Sequence, residues 1–280
     1  MKNSVNMFER VKTLLKEHTG IHLAPHKEAL AENRLTRLST KIKYDKSLEE
    51  LLSEVESGSF VEEFISSFTT NQTSFFREAT QFEDFHNRFL RENFPFSNKL
   101  NVLCAGCSSG EEAYTIAICY LYAKNIMRLP GTYSLKITAV DIDIERLKTA
   151  KDGVYDAQNA DRFPLWVKEG VYFERFEQKG KKYIKIKDDV KNLISFEKHN
   201  LSSIKSNFKT GFYDAVFCRN TLIYFDKERQ SLILNKLLKA LKTDGTLYLG
   251  HSENPLEFAA QLAKRGHNIY VKRTGEVEYE

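Results

Sequence analysis

Proline and cysteine are scarce in this chain of 280 residues, at five and four, and there is one tryptophan. With only thirteen glycines as well, a collagen-like or low-complexity polymer is excluded, and 41% hydrophobic with 12% aromatic residues is enough to build a sizeable core. Four cysteines (Cys104, Cys107, Cys119, Cys218) are too few for a disulfide framework in a chain this long, which suits a reducing compartment. Cys104 and Cys107 form a C-x-x-C, but no second pair stands at zinc-ligand spacing, so no metal is expected. No run approaches the ~20 apolar residues of a spanning helix, and Met1-Lys2-Asn3-Ser4 has no apolar signal core behind it. The cytoplasm is the expected compartment, without membrane insertion. A strong charge excess is missing too. Lys and Arg number 42 against 38 Asp and Glu, a net +4, far from the excess of a protein that neutralises a phosphate backbone.

At roughly 150 residues per domain the length allows one large domain, or a medium one with a small companion. The first seventy or so residues read as helices. Met7, Phe8, Val11, Leu14 and Leu15 recur at helical spacing, as do Leu30, Leu35, Leu38 and Ile42. Ser47 with Glu50 forms a capping box ahead of Leu48, Leu51, Leu52 and Val55, and Phe60 to Phe68 adds another apolar face. From about residue 100, β-rich runs (NKLNVLCAG, SLKITAVDID, LISFEKHNL, YDAVFCRN, GTLYLGHSE) alternate with helical stretches. That alternation predicts βαβ units: an α/β, doubly wound, mostly parallel sheet covered by helices on both faces. Residues 171–187 break the pattern and read as a small β-hairpin or three-stranded insert turning at Gly180. The expected division is a helical domain over 1–75 and an α/β domain over 76–280, with the β insert at about 168–190.

In an open α/β sheet, ligands sit beyond the carboxyl ends of the strands. The loop after the first strand runs Ala105-Gly106-Cys107-Ser108-Ser109-Gly110 and then Glu111-Glu112. It carries neither a Walker G-K-[ST] nor a G-x-G-x-x-G, and its two acids make a poor neighbour for a pyrophosphate. A helix start that bears carboxylates suits a cationic ligand rich in hydroxyls and amines, a description S-adenosylmethionine fits. Asp141 ends the second strand, where a carboxylate can accept both ribose hydroxyls, with Asp143 as its rival. Asn200 and Leu201 follow the third strand, a small amide beside an apolar side chain, suited to an adenine edge. Arg219 and Asn220 leave the fourth strand, and burying such a pair is costly without partners, which favours a site role. Tyr224 follows them, with a hydroxyl that needs a partner if buried. The junction of the two parts, TTNQTSFFR over 69–77, is too aromatic for a simple linker.

TTNQTSFFREATQF, VLCAGCSSGEEAYTIAI, AVDID, FEKHNL, FCRNTLIYFD and LYLGHSEN occur in the order and at the spacing of the CheR-type chemotaxis receptor methyltransferases, and the chain resembles that family over essentially its whole length. The resemblance implies methyl transfer from S-adenosylmethionine, with S-adenosylhomocysteine as product, to glutamate side chains on the cytoplasmic domain of chemoreceptors. It implies that Asn71, Thr73 and Arg77 reach from the linker into the cofactor site with Gly106, and that Glu111 is the acid of the glycine loop. On the same basis Asp141 is the ribose acid, Asn200 and Leu201 the adenine-side pair, and Arg219 and Asn220 the pair leaving the fourth strand. Arg77 and Tyr224 match the positions nearest the transferred methyl. The insert matches a β-subdomain that docks a receptor tail in some members, but it has no Gly-x-Gly here, so tail docking is not carried over.

Charge along the chain adds a substrate side. Residues 27–46 hold six Lys or Arg against three acids, while 49–63 hold six Glu and no base. Arg34, Arg37 and Lys41 fall on one helical stripe, expected to dock the acidic methylation helices of a receptor. A nucleic-acid methyltransferase is the enzyme rival, supported by the insert's lysines; but an Asp/Asn-Pro-Pro-aromatic is missing where Arg219-Asn220-Thr221-Leu222 stands, and no nucleic-acid partner is expected. A cofactor-binding scaffold without turnover is the non-enzymatic alternative. A monomer is the simplest expectation.

Overall fold

A computed structural model describes residues 2–205 and 207–273, with the side chains of 2–5 left aside. Met1, Ser206 and the carboxyl end of the expected α/β domain, 274–280, lie outside the described residues. The chain opens with four helices, α1 (Lys2–Thr19), α2 (Glu28–Ile42), α3 (Leu48–Glu56) and α4 (Val61–Phe68). Their apolar stripes meet in one core built on Val11, Leu15, Leu35, Leu38, Leu51, Leu52, Val55 and Phe64. Ser47 and Glu50 close the capping box: Ser47 N–H donates to Glu50 Oε2 at 3.0 Å, and Glu50 N–H to Ser47 Oγ at 3.2 Å.

An extended linker then leads to Phe75 and Phe76, both buried against the second core, and to α5 (Thr80–Asp84), a π turn (Phe85–Phe89) and α6 (Leu90–Asn93). The α/β part follows as β1 (Lys99–Ala105), α7 (Glu111–Ile126), β2 (Ser134–Asp141), α8 (Ile144–Asp152), β3 (Val154–Asp156), β4 (Phe173–Gln178), β5 (Lys181–Ile186), α9 (Asp188–Lys191), β6 (Ile194–Lys198), β7 (Tyr213–Cys218), α10 (Lys227–Ala240), β8 (Leu241–Leu249), β9 (Leu262–Gly266) and β10 (Ile269–Lys272). Seven strands form the main sheet in the order β6-β2-β1-β7-β8-β10-β9, parallel except for the antiparallel β10. Alternate residues feed opposite faces. Val102, Cys104, Ala215 and Phe217 enter one core, and Leu103, Ala105, Val216 and Cys218 the other. The strand order reverses between β1 and β7, so the loops after Ala105 and Cys218 diverge from one point and leave a crevice.

β4 and β5 pair as an antiparallel hairpin around Lys179 (φ 51°) and Gly180 (φ 73°), a turn in which both central residues take positive φ. Their third partner, β3, comes from before the 168–190 stretch: Val154–Asp156 pairs antiparallel with β5. Three residues are too short a run to show a period of two, which is why only the hairpin stands out in the sequence. Among the described residues, no helix is long and apolar enough to cross a membrane, and no group of three or more His, Cys, Asp or Glu could hold a metal ion. All four cysteines are buried and free, and burial pushes the Cys104 and Cys107 thiols well up, away from the reactive thiolate.

Candidate active site

The crevice is a cavity of about 880 Å³ of open space, mouth included, under the linker and at the carboxyl ends of β1, β2, β6 and β7. Asn71, Thr73, Arg77, Gly106, Asp141, Asn200, Leu201, Arg219, Asn220 and Tyr224 all line it, although they are spread over more than 150 positions of sequence. Gly106 is required by geometry: at φ +83° a Cβ there would stand 2.2 Å from Thr221 Oγ1. Its own N–H and that of Cys107 donate to the Val140 carbonyl, which fastens the loop to the end of β2. Ser108, also at positive φ, lines the cavity and gives its N–H to Asp141 Oδ2 at 2.7 Å, while its hydroxyl is buried with no partner among the described residues.

Asp141 accepts one backbone N–H on each oxygen, from Ser108 and from Asp143 at 2.9 Å, which leaves lone pairs for two ligand hydroxyls. Burial raises its pKa, and these N–H donors pull the other way. Its rival Asp143 has a different task. Fully buried, it caps α8 through the N–H groups of Glu145 and Arg146, and takes the Thr69 hydroxyl at 2.7 Å and the Asn71 amide at 2.9 Å. Asp143 therefore anchors the linker, and with it Asn71, over the cavity.

The two acids of the glycine loop part company. Glu112 lines the cavity, whereas Glu111 does not: its carboxylate takes the Ser109 hydroxyl at 2.8 Å behind the loop, on the Arg146 side. Adjacent residues on a helix project about 100° apart, so only one of the two can face the ligand. Burial raises the pKa of both, and for Glu112 the Arg219 guanidinium works against it.

Arg219 is closed off rather than offered to a ligand. Its side chain is 1% exposed and binds Glu112 Oε2 at 2.8 Å, Glu78 Oε2 at 3.1 Å and the Arg77 carbonyl at 2.5 Å, over the Phe82 ring at 4.8 Å. Asn220, in left-handed conformation at φ 54°, gives its side-chain amide to Glu78 Oε1 at 3.2 Å. Burial disfavours the Glu78 carboxylate, but Arg219 and Asn220 outweigh it and hold its pKa below the ordinary value. Among the described residues Arg77 is the exposed arginine of the cavity: 40% exposed, it donates to the Gln72 carbonyl at 2.9 Å and stands 4.0 Å from Glu78. Asn200 is largely committed, with its amide on the His18 carbonyl at 3.0 Å and its oxygen taking the Ser202 N–H at 2.9 Å and sharing the Ser202 hydroxyl with the Thr19 carbonyl, so one amide N–H remains for a ligand.

The docking stripe divides as well. Arg34 turns inward, donating to the carbonyl of Phe68 and to Thr70 Oγ1 at 3.0 Å, because Phe68 ends α4 and its carbonyl lacks a helical partner. Arg37 and Lys41 stay exposed, Lys41 within 3.7 Å of Glu145. Sequence reasoning missed several wall residues. Thr19 ends α1 and Ile21 follows it, and the His22 N–H donates to the Tyr224 carbonyl at 2.9 Å. Glu78 and Glu253, in the motifs TTNQTSFFREATQF and LYLGHSEN, stand behind the wall, where only their bonds to Arg219 and to the loop at Asn220–Leu222, invisible in one sequence, mark them.

These features fit S-adenosylmethionine: a carboxylate on the wall, Glu112, on the side of its cationic end, an unpaired buried hydroxyl, a strand-end acid with free lone pairs, and a glycine that keeps the wall open. Comparison with known proteins agrees. Residues 6–69 match the family model "CheR methyltransferase, all-alpha domain", and 71–271 match "CheR methyltransferase, SAM binding domain". The chain is 34% identical over 268 residues to the chemotaxis protein methyltransferase of Escherichia coli K12, covering 94% of this chain and 90% of that protein. To the protein of the same name from Vibrio parahaemolyticus it is 36% identical over 248 residues, covering 86% of each, and to that from Borreliella burgdorferi 32% identical over 256 residues, covering 87% and 86%. With both family domains matched in order across the chain, this protein belongs to the CheR methyltransferase family and is an S-adenosylmethionine-dependent methyltransferase.

Proposed function

We propose that this enzyme methylates glutamate side chains on the cytoplasmic domain of chemoreceptors, forming methyl esters in chemotaxis adaptation. The observation that carries the reading is the cavity wall, lined by both Arg77 and Tyr224: Arg77 is 40% exposed and 4.0 Å from Glu78, while the other arginine, Arg219, is consumed by two carboxylates. An incoming carboxylate has one guanidinium to meet there. When bound, the cofactor supplies a methyl group made electrophilic by a sulfonium. Asp141 takes the ribose hydroxyls, Asn200 and Leu201 border the adenine, and Asn71, Thr73, Gly106, Ser108 and Glu112 complete the walls. Glu111 supports the loop from behind.

A glutamate with pKa ~4.3 is already ionised at neutral pH, so no residue here has to remove a proton. The protein's contribution is alignment at near-attack distance. Arg77 would orient the carboxylate, and Tyr224 would offer a ring or hydroxyl to the positive sulfur. Arg37 and Lys41 are the docking cations for acidic receptor helices, and Arg34 braces the linker behind them. The chain then acts in the cytoplasm without inserting into the membrane.

Tritiated S-adenosylmethionine, incubated in parallel with receptor membranes, receptor-free protein and nucleic acid, tests the reading. Base-labile counts confined to receptor are expected. Base-stable counts in nucleic acid, or cofactor binding without transfer, would replace it. Replacing Arg37 and Lys41 by Ala should weaken receptor binding and flatten its salt dependence; binding unchanged in both respects removes the docking role.

A further inference from the structure

Glu253 is a buried carboxylate on the loop that follows β8, outside every role described so far. Oε2 accepts the N–H of Gly250 at 2.6 Å and of Asn220 at 3.0 Å; Oε1 accepts the N–H of Thr221 at 2.7 Å and of Leu222 at 2.6 Å. One side chain thus satisfies four backbone donors from two loops, three of them consecutive in the segment that leaves β7. Asn268 holds this loop in turn, through its amide on the carbonyls of Gly250 at 2.5 Å and Glu253 at 3.2 Å. The segment held is the one that must be fixed: Asn220 sits in left-handed backbone, and Leu222–Tyr224 winds directly into Tyr224. Buried backbone N–H groups need acceptors, and in this turn the carboxylate takes the place of a strand or helix.

We infer that Glu253 is a positioning residue for methyl transfer, an acceptor hub that clamps the loop from Asn220 to Leu222 and so aims Tyr224 at the reacting centre. Among the described residues no hydrogen bond joins Glu253 to Asp141, Asn200 or Leu201, which lie at the ends of β2 and β6, although Asn220 and Thr221 of the clamped loop line the same cavity. The clamp therefore acts first on turnover, through Tyr224, and to a smaller extent on cofactor affinity, through Asn220 and Thr221. The turnover part rests on the glutamate-methylation reading; the clamp itself does not.

Glu253→Gln keeps the shape but, whichever way the amide turns, leaves two of the four N–H groups facing another donor. Hydrogen exchange of full-length protein should speed up at the amides of Asn220, Thr221, Leu222 and Gly250. In receptor methylation kcat should drop at least about tenfold, while the Kd for S-adenosylhomocysteine changes by less than about threefold. Tyr224→Ala in the Glu253→Gln background should add little, since both remove the same placement. Glu257→Gln, on an exposed neighbour, should leave kcat within about twofold. Glu253→Asp, with the charge on a shorter stem, should show the same pattern at smaller size, and carries the test should the Gln variant not fold. Unchanged exchange at the four amides, losses that add fully with Tyr224→Ala, or affinity lost in step with turnover would each overturn the proposal. Failure of wild-type protein to methylate receptor would instead remove the function proposed above, and exchange would still decide the clamp.

Discussion

Replacing Arg219 by Met should strand two carboxylates at once. The guanidinium is 1% exposed and lies 2.8 Å from Glu112 and 3.1 Å from Glu78, each of whose side chains is 13% exposed. Met matches the stem and can rest on Phe82, so little packing is lost; what disappears is the positive charge between two buried acids. Removing one partner of a buried pair costs about 3–5 kcal/mol. For a chain of this size each kcal/mol lowers Tm by ~2–4 °C, so a drop of roughly 6–20 °C is expected. The sign of the pH dependence is a second test. Glu78 now titrates below its ordinary value because Arg219 and Asn220 overcome its burial. Without Arg219 burial dominates, and the folded pKa moves above the unfolded one. The deficit is then full at neutral pH and shrinks as pH falls through the raised folded pKa, where the acids neutralise. Urea unfolding of Arg219→Met at pH 7.5 and 5.5, with Glu112→Gln added in a second variant, measures all three terms. A loss under about 1 kcal/mol at pH 7.5, a deficit that does not narrow at pH 5.5, or no recovery with Glu112→Gln would refute the reasoning.

Three other outcomes are expected. Gly106→Ala puts a Cβ 2.2 Å from Thr221 Oγ1 at a φ that costs an L-residue ~1–2 kcal/mol, so calorimetry should find S-adenosylhomocysteine binding at least about tenfold weaker; wild-type affinity would show that the loop yields. Burial raises the Asp141 and Glu112 pKa values, so cofactor affinity should fall as pH drops from 8 to 5, ahead of the ordinary carboxylate range, and a flat profile would exclude them as ligand acceptors. Arg77→Ala, at a side chain 40% exposed, should leave stability within ~0.5 kcal/mol yet reduce receptor methylation at least about tenfold; unchanged turnover and cofactor affinity would end its role.

What could be read from the sequence was local. The Ser47–Glu50 box, the turn at Gly180 and the strand-end position of Asp141 each depend on spacings of a few residues, which a single chain displays directly. The division of near-equivalent neighbours was not visible. Glu111 and Glu112 carry the same chemistry in adjacent positions, and only the rotation of α7 against the loop decides which one meets the cavity. Arg34, Arg37 and Lys41 share a stripe, yet the unpaired carbonyl at the end of α4 draws the first of them inward. Thr19 and Ile21 carry no motif, and their place in the wall follows from how α1 packs against the turn after β6.

That packing bears on motion. His18 is tied to Asn200, Thr19 to Ser202 and His22 to Tyr224, so a shift of the helical lobe by a bond length or two breaks all three contacts together and lifts one wall from the cavity. The seat of the helical lobe and one wall of the cavity thus depend on the same three hydrogen bonds. Residues 69–74 line the cavity and also join the two lobes, so a substitution there that loosens the lobes alters the wall around the methyl donor as well.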